Sequence, residues 1–358
     1  MSEIAFLLFC GRKFGGMERR YARLAGSLHD QGVEVTVICT HDALLGMRDL
    51  NIAFPQSSFR LIDFGWRSIP VFFRKINRAL GIIRALYLIR SAQYKHVHII
   101  ANPGFLVYLY AALGRFLPLF SFSVVDSRLG FNAGWVRRAV KAAYSVDCLS
   151  DSIGKDIRCA CENETDKRKV HVSPCSFTDF SEVKLRDIRD IDVVMMARFS
   201  PEKGYGLFLK AAPNLPEGLE IHLCGFGSNP PITERAKVYE CQDPFDVLAR
   251  SKIFLSLQDK ENYPSQALLE AMASGCAVIA TDVGETRRLL DESCAILIKP
   301  DASALASSIK YLLENPAECR RLGSEARARV LRDHTLDRFS EYFKREIMHD
   351  SACALADV

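Results

Sequence analysis

No Cys-x-x-Cys pair occurs in the sequence, although it holds 12 cysteines in 358 residues. Thiols scattered in that way exclude a small disulfide-stapled secreted scaffold. They read as free cysteines in a reducing compartment, packed as small apolar groups. Cys159, Cys161, His171 and Cys175 are spaced unlike any familiar zinc site, so no metal is expected there. No Gly-x-Gly-x-x-Gly follows the first apolar run and no acid closes the second, which argues against a dinucleotide oxidoreductase. No apolar run reaches the ~20 uninterrupted residues of a membrane span. The longest candidate, 99–125, is cut by Pro103, Gly104, Arg115 and Pro118 into strand, helix and strand. The opening residues lack a basic leader, and their apolar core, 4–10, reads as a first strand rather than a signal peptide. A cytoplasmic protein is the expectation.

What is present suits two globular domains. The chain is 49% hydrophobic and 25% charged, and its length is large for a single core. The net charge of +4 hides an asymmetry: residues 1–179 hold 24 Lys and Arg against 15 Asp and Glu, and the remainder 23 against 28. A basic first half and an acidic second half suggest that the first meets anionic material. Residues 65–95 contain no acid, and from 67 onward apolar and basic residues interleave. Such a stretch suits an anionic membrane surface, or equally a core helix with a solvated basic face. No motif supports nucleic-acid binding.

The most informative segment is 251–285. Residues 253–257 form a short apolar run, 258–264 a polar loop closed by a proline, and Ser265 can cap a helix. Residues 267–273 are good helix formers, Gly275 stops them, and 276–281 is a second buried strand. Strands buried on both faces favour a parallel sheet covered by helices. Ligands of such sheets sit beyond the carboxyl ends of the strands. The helix at Ser265 points its positive end there, a site for phosphate. Glu270, one turn in, has the chemistry to accept hydrogen bonds from the vicinal hydroxyls of a ribose or sugar. The segment therefore points to a nucleotide carrying a sugar.

This segment resembles the donor site of retaining glycosyltransferases with two Rossmann-like domains, the GT-B arrangement, and most of all glycosyltransferase family 4. That family places two glutamates eight positions apart. Here the second is Glu270; Asn262 stands eight positions before it and Glu261 nine. Tyr263, Pro264, Ser265 and Gln266 fill the loop and helix start. The resemblance extends to Arg198 and Lys203, which match the family's pair of donor-phosphate cations after the first strand of the second domain. It extends also to the turn at Gly225 and Gly227 beneath the nucleotide, and to Gly15 and Gly16 after the first strand of the chain, beside the diphosphate. Asp126 follows a first-domain strand where the family often has histidine. It serves acceptor or sugar hydroxyls, or the acceptor as a base, or else caps a loop. The pair Asp190 and Asp192 opens a strand and reads as a solvated turn rather than a metal site.

The resemblance implies an α/β, GT-B fold whose two parallel sheets face a central cleft. Its parts would be an acceptor-side domain over 1–176, a linker over 177–190, a donor domain over 191–335 and a last helix, 336–358, crossing back to the first domain. It implies a metal-independent, retaining hexosyltransferase. The donor would be a UDP- or GDP-sugar, and the acceptor a hydroxyl of a glycan or lipid-linked molecule in polysaccharide, lipopolysaccharide or glycolipid assembly. No cofactor beyond the nucleotide sugar is implied. Arg198, Lys203, the helix start and the Gly15–Gly16 backbone would stabilise the departing diphosphate, Glu270 would hold ribose, and Asn262 or Glu261 the sugar. The alternative is a sugar-nucleotide-binding pseudoenzyme or scaffold. Peripheral attachment at the inner membrane face through 67–95 completes the expectation.

Overall fold

The computed structural model describes residues 4–8, 16–49, 58–62, 71–92, 94–101, 104–125, 132–174, 183–241, 243–261, 263 and 265–348. The first elements along the chain are β1 (Ile4–Leu8), α1 (Gly16–Asp30), β2 (Val35–Cys39), α2 (His41–Asp49), β3 (Phe59–Leu61), α3 (Val71–Ala92) and β4 (His96–Ile100). Then come α4 (Phe105–Leu113), β5 (Leu119–Val124), α5 (Ala133–Ala142), β6 (Ser145–Cys148), α6 (Asp151–Cys159), α7 (Glu164–Arg168) and β7 (Val170–Val172). The second half holds β8 (Ile191–Met196), α8 (Tyr205–Ala211), β9 (Ile221–Cys224), β10 (Lys237–Tyr239), α9 (Pro244–Arg250) and β11 (Ser251–Ser256). It continues with α10 (Gln266–Ala273), β12 (Ala277–Thr281), β13 (Ala295–Ile298), α11 (Ala302–Glu314), α12 (Pro316–Asp333) and α13 (Leu336–Tyr342). Two compact units result, Met1–Pro174 with Leu336–Val358, and Cys175–Thr335.

Unit 1 is built on a seven-stranded parallel sheet, ordered β3-β2-β1-β4-β5-β6-β7. Every residue of β1, β2, β4 and β6 is buried, as a sheet covered on both faces requires. One face is apolar, with Ile99, Phe120, Phe122 and Val146 packed against Val107, Tyr110 and Val136. The opposite face is polar. Period-2 alternation puts His96 and His98, Ser121 and Ser123, and Ser145 and Asp147 on it, all buried. Ser121 Oγ lies 2.7 Å from His96 Nε2 and 2.8 Å from His98 Nδ1, and His98 Nε2 lies 2.7 Å from Ser123 Oγ. Burial, and secondarily the neighbouring His96, hold the His98 pKa well below that of free histidine.

Buried polar groups need partners, and helices supply them here. Tyr21 on α1 donates to Asp147 Oδ2 at 2.6 Å, and Tyr342 on α13 donates to Oδ1 at 2.9 Å. Ser340 donates to Ser27 at 2.9 Å, and Ser145 donates to the Ile347 carbonyl at 2.7 Å. Phe343 stacks on Phe6 at 5.5 Å. The segment from Leu336 therefore belongs to unit 1 because it completes the polar layer of that sheet.

Residues 41–49 form α2. Its acid in the first turn and base in the last suit the helix dipole, and Ala43, Leu44 and Met47 bury one side. After 285, β13 pairs with β12, with Val278 opposite Ala295, and α11, α12 and α13 follow. Residues 99–125 do form strand, helix and strand. Among the described residues no helix is long and apolar enough to cross a membrane.

Unit 2 carries a six-stranded parallel sheet, ordered β10-β9-β8-β11-β12-β13. Alternation along the strands splits its core. Val194, Phe254 and Val278 pack with Leu268, Leu269 and Met272 of α10. Val193, Ile253, Leu255 and Ile279 pack with Phe208 of α8 and Ile309 of α11. The crossovers from β8 lead to β9 on one side and, further along the chain, to β11 on the other. The sheet's switch point thus lies between β8 and β11.

Candidate functional site

The turn after β8 carries Arg198 and Lys203, and hydrogen bonds fix its course. Ala197 N–H donates to the Cys224 carbonyl at 3.1 Å, and Phe199 N–H to the Phe226 carbonyl at 2.8 Å. These bonds tie it to the Gly225–Phe226–Gly227 turn after β9. Tyr205 donates to the carbonyls of Ala197, 2.9 Å, and Cys224, 3.2 Å, sealing the two strand ends from below. Gly204 closes the turn at φ +85°, and a Cβ on it would lie 1.8 Å from the Leu257 carbonyl oxygen, so only glycine fits. Arg198 is exposed, and its guanidinium makes no hydrogen bond or ion pair with a described residue. Lys203 Nζ donates to Gln258 Oε1 at 2.9 Å. Between them Glu202 is held below the usual carboxylate range by backbone and Ser200 hydrogen bonds and by the two cations.

Gln258 opens the loop after β11, and Thr281 Oγ1 at the end of β12 donates to its carbonyl at 2.5 Å. Glu261 Oε1 accepts the N–H of Tyr263 at 2.9 Å and that of Glu285 at 3.0 Å. One carboxylate thus clasps the loop after β11 to the turn after β12. Gly284, at φ +53°, leaves room for it: a Cβ there would sit 2.5 Å from Glu261 Cδ. Tyr263 is buried with the Arg288 guanidinium 4.4 Å from its ring centre, and Arg288 pairs with Glu285 at 3.0 Å. Ser265 Oγ caps α10 by accepting from Leu268 N–H at 3.4 Å, a contact of about 1 kcal/mol. Gln266 Nε2 donates to Glu270 Oε1, one turn on, at 3.1 Å. At the other end of α10, Arg189 donates to the Ser274 carbonyl at 2.7 Å and Arg327 to that of Ala273, which suits the negative end of the helix.

Arg198, Lys203, Gly225, Gly227, Glu261, Tyr263, Ser265, Gln266 and Glu270 therefore all follow the carboxyl ends of adjacent strands in one sheet, around its switch point. Gly16 begins α1 in unit 1. Gly15, Asp126, Asn262 and Pro264 lie outside the described residues. Gln258, Thr281, Glu285 and Arg288 were not singled out in the sequence. The one available signal was the position of Gln258 and Thr281 at the ends of buried runs. Asp190 pairs with Arg250, and Asp192 pairs with Lys252 at 2.7 Å while accepting from Glu220 N–H at 3.0 Å. Their carboxylates are thus spent on structure. Two cations, a helix N-terminus and glycine turns at a switch point make a place for a phosphorylated ligand.

Residues 205–345 match the family model described as glycosyl transferase-like. That segment is a glycosyl transferase-like domain. Among curated proteins none matches the sequence. Among solved structures the chain resembles Anabaena Alr3699/HepE in complex with UDP-glucose, with a TM-score of 0.73, 16% identity and 99% of each chain covered. It resembles sucrose-phosphate synthase from Thermosynechococcus elongatus, with a TM-score of 0.71, 16% identity and again 99% of each covered. It also resembles a point mutant of S. aureus TarM solved with fondaparinux, alpha-GlcNAc-glycerol and UDP, with a TM-score of 0.71, 11% identity, and 97% of this chain and 99% of that one covered. The glycosyl transferase-like domain thus sits in a chain with the α/β, GT-B fold.

Proposed function

We propose that the chain is a metal-independent retaining hexosyltransferase that uses a nucleotide-diphosphate sugar. The observation that carries this is the grouping of Arg198, Lys203 with its Gln258 tether, and the capped start of α10 around the switch point of unit 2. In transfer, the bond from the anomeric carbon to the diphosphate oxygen breaks and its electron pair leaves with the diphosphate. A bond to the acceptor oxygen forms on the same face of the sugar, and the acceptor proton is released. Negative charge therefore grows on the diphosphate, where Arg198 binds as a fork and Lys203 as a point charge. The N–H groups at Ser265–Gln266 add the helix dipole. Glu270 holds the ribose hydroxyls. The acceptor, a hydroxyl of a glycan or lipid-linked molecule, belongs to the basic unit 1, which residues 67–95 hold at the inner face of an anionic membrane.

HepE was solved with UDP-glucose, so UDP-glucose is the first donor to test, with GDP- and ADP-glucose beside it. The melting temperature should rise with the matching donor, and Arg198→Ala should abolish the shift. Slow donor hydrolysis without acceptor should accompany binding. If no nucleotide sugar shifts the melting temperature, the reading fails; if the shift survives Arg198→Ala, that residue leaves the site. One observation favours a second reading, a sugar-nucleotide-binding pseudoenzyme or scaffold: Glu261 spends one oxygen on two backbone N–H groups. Binding without hydrolysis or transfer would select it.

A further inference from the structure

The outer side of unit 1 carries an apolar stripe that its own core does not use. From residue 79 onward α3 turns Ile82, Ala85 and Ile89 inward, where they are buried. It turns Leu80 (48% exposed), Ile83 (63%) and Tyr87 (70%) outward. Positions 80, 83, 84, 87 and 90 fall on one helix face, so the exposed Arg84 and Arg90 lie in the same stripe. Beside it stands the corner Gly114–Phe116, where Phe116 is 51% exposed and the Arg115 guanidinium lies 4.6 Å from its ring centre. Arg90 Nη1 donates to the Phe116 carbonyl at 2.8 Å, joining helix and corner. Between them is an apolar notch of about 280 Å³ lined by Leu86, Tyr87, Arg90, Leu113, Phe116 and Leu117.

Charge settles what this face fits. No Asp or Glu stands between Asp63 and Asp126, while eight Lys and Arg do. A second copy of the chain would bring like charge against like charge, which disfavours a symmetric pairing of this face. Aliphatic and aromatic side chains set among arginines, with no acid, instead match the boundary of an anionic bilayer. There the apolar groups enter the acyl region and the guanidinium groups meet lipid phosphates. The geometry points to a composite docking surface for an anionic lipid bilayer, formed by Leu80, Ile83, Arg84, Tyr87 and Arg90 of α3 together with Phe116. Ile83, Tyr87 and Phe116 are the inserted anchors. This rests on the reading of unit 1 as the membrane-facing part, and goes beyond it by assigning the contact to residues 80–90 and the 114–116 corner.

The test is co-sedimentation of the full chain, without nucleotide sugar, with phosphatidylglycerol-containing vesicles and with pure phosphatidylcholine vesicles. Binding is expected to the first only, and raised salt should weaken it. The Ile83→Ser/Tyr87→Ser double variant should bind at least tenfold more weakly. Arg84→Gln should bind about fivefold more weakly, as expected for one cation at such a surface. Both variants should keep the wild-type melting temperature and the wild-type UDP-glucose shift, which separates loss of docking from loss of donor binding. No binding to anionic vesicles, or binding unchanged in the double variant, overturns the proposal. So does a concentration-dependent dimer in light scattering that the double variant abolishes, since the face would then be an interface between copies.

Discussion

Replacing Glu261 with alanine removes the acceptor for two backbone N–H groups, of Tyr263 at 2.9 Å and of Glu285 at 3.0 Å. A hydrogen bond to a charged group contributes roughly 1.5–3 kcal/mol when shielded, and less where water competes. Glu261 is exposed, so about 1 kcal/mol per bond is a fair value, or about 2 kcal/mol for the clasp. In a unit of this size each kcal/mol moves the melting point by about 2–4 °C, so unit 2 should melt about 4–8 °C lower. Glu261→Gln keeps a carbonyl oxygen where Oε1 was and should lose no more than half of that. Gly284 supplies a second arm. A Cβ there would lie 2.5 Å from Glu261 Cδ, so Gly284→Ala expels the carboxylate as well as bearing the strain of φ +53°. The strain is present with or without Glu261, but the expulsion is not. In a double-mutant cycle Gly284→Ala should therefore cost about 2 kcal/mol less in the Glu261→Ala background. Calorimetry on the four proteins reads both effects. Melting of Glu261→Ala within 1 °C or so of wild type, or strict additivity, would refute the clasp.

Other outcomes follow from single contacts. Gly204→Ala places a Cβ 1.8 Å from a backbone oxygen at φ +85° and should cost more than about 3 kcal/mol in a urea titration. Gly206→Ala, on α8 with nothing within 4 Å, should instead stabilise by about 0.5–1 kcal/mol. Tyr342→Phe removes the 2.9 Å donor to buried Asp147 and should cost about 1–3 kcal/mol, with faster proteolytic trimming of the segment after 335. Acid should weaken the fold early. Burial holds His98 well below its free value and His334 at about 4. Below pH 6.5 the unfolded chain therefore binds more protons at these sites than the folded one. Their contribution is complete above pH 6.5 and falls with pH by up to about 1.4 kcal/mol per unit per group, until the folded pKa is passed. Urea stability at pH 5 should lie about 2 kcal/mol below that at pH 7 through His334, with His98 acting in the same direction, and His334→Gln should remove its share of the slope.

The parallel sheet of unit 2 was legible because its strands, covered on both faces, are apolar almost throughout, as 253–257 and 276–281 are. The short elements were hidden by their length. β10 has three residues and β13 four, too few for any period to show. The polar layer of unit 1 left a trace in the alternation of His96 with His98 and Ser121 with Ser123. Its cover did not, because Tyr342 lies 195 residues beyond Asp147, and no local pattern links the two.

Charge at the site shows where a sequence stops informing. Sequence spacing paired Arg198 and Lys203 as phosphate-binding cations, and the fold gives them different states. Lys203 is already anchored to Gln258, and Gln258 to Thr281, so its ammonium is oriented before any ligand arrives. Arg198 projects into solvent without a described partner, and ordering an arginine costs up to ~2 kcal/mol of rotamer entropy. A phosphate must therefore offset that cost itself, so Arg198 responds to the ligand while Lys203 precedes it. The carboxylates divide in the same way. Glu261 is spent on the backbone of a residue 24 positions later, whereas Glu270 meets a side chain of its own helix, Gln266. Residue type and spacing located these groups, but which of them stays available to a ligand depends on backbone N–H groups brought close by a neighbouring strand. That information exists only once β11 and β12 have paired.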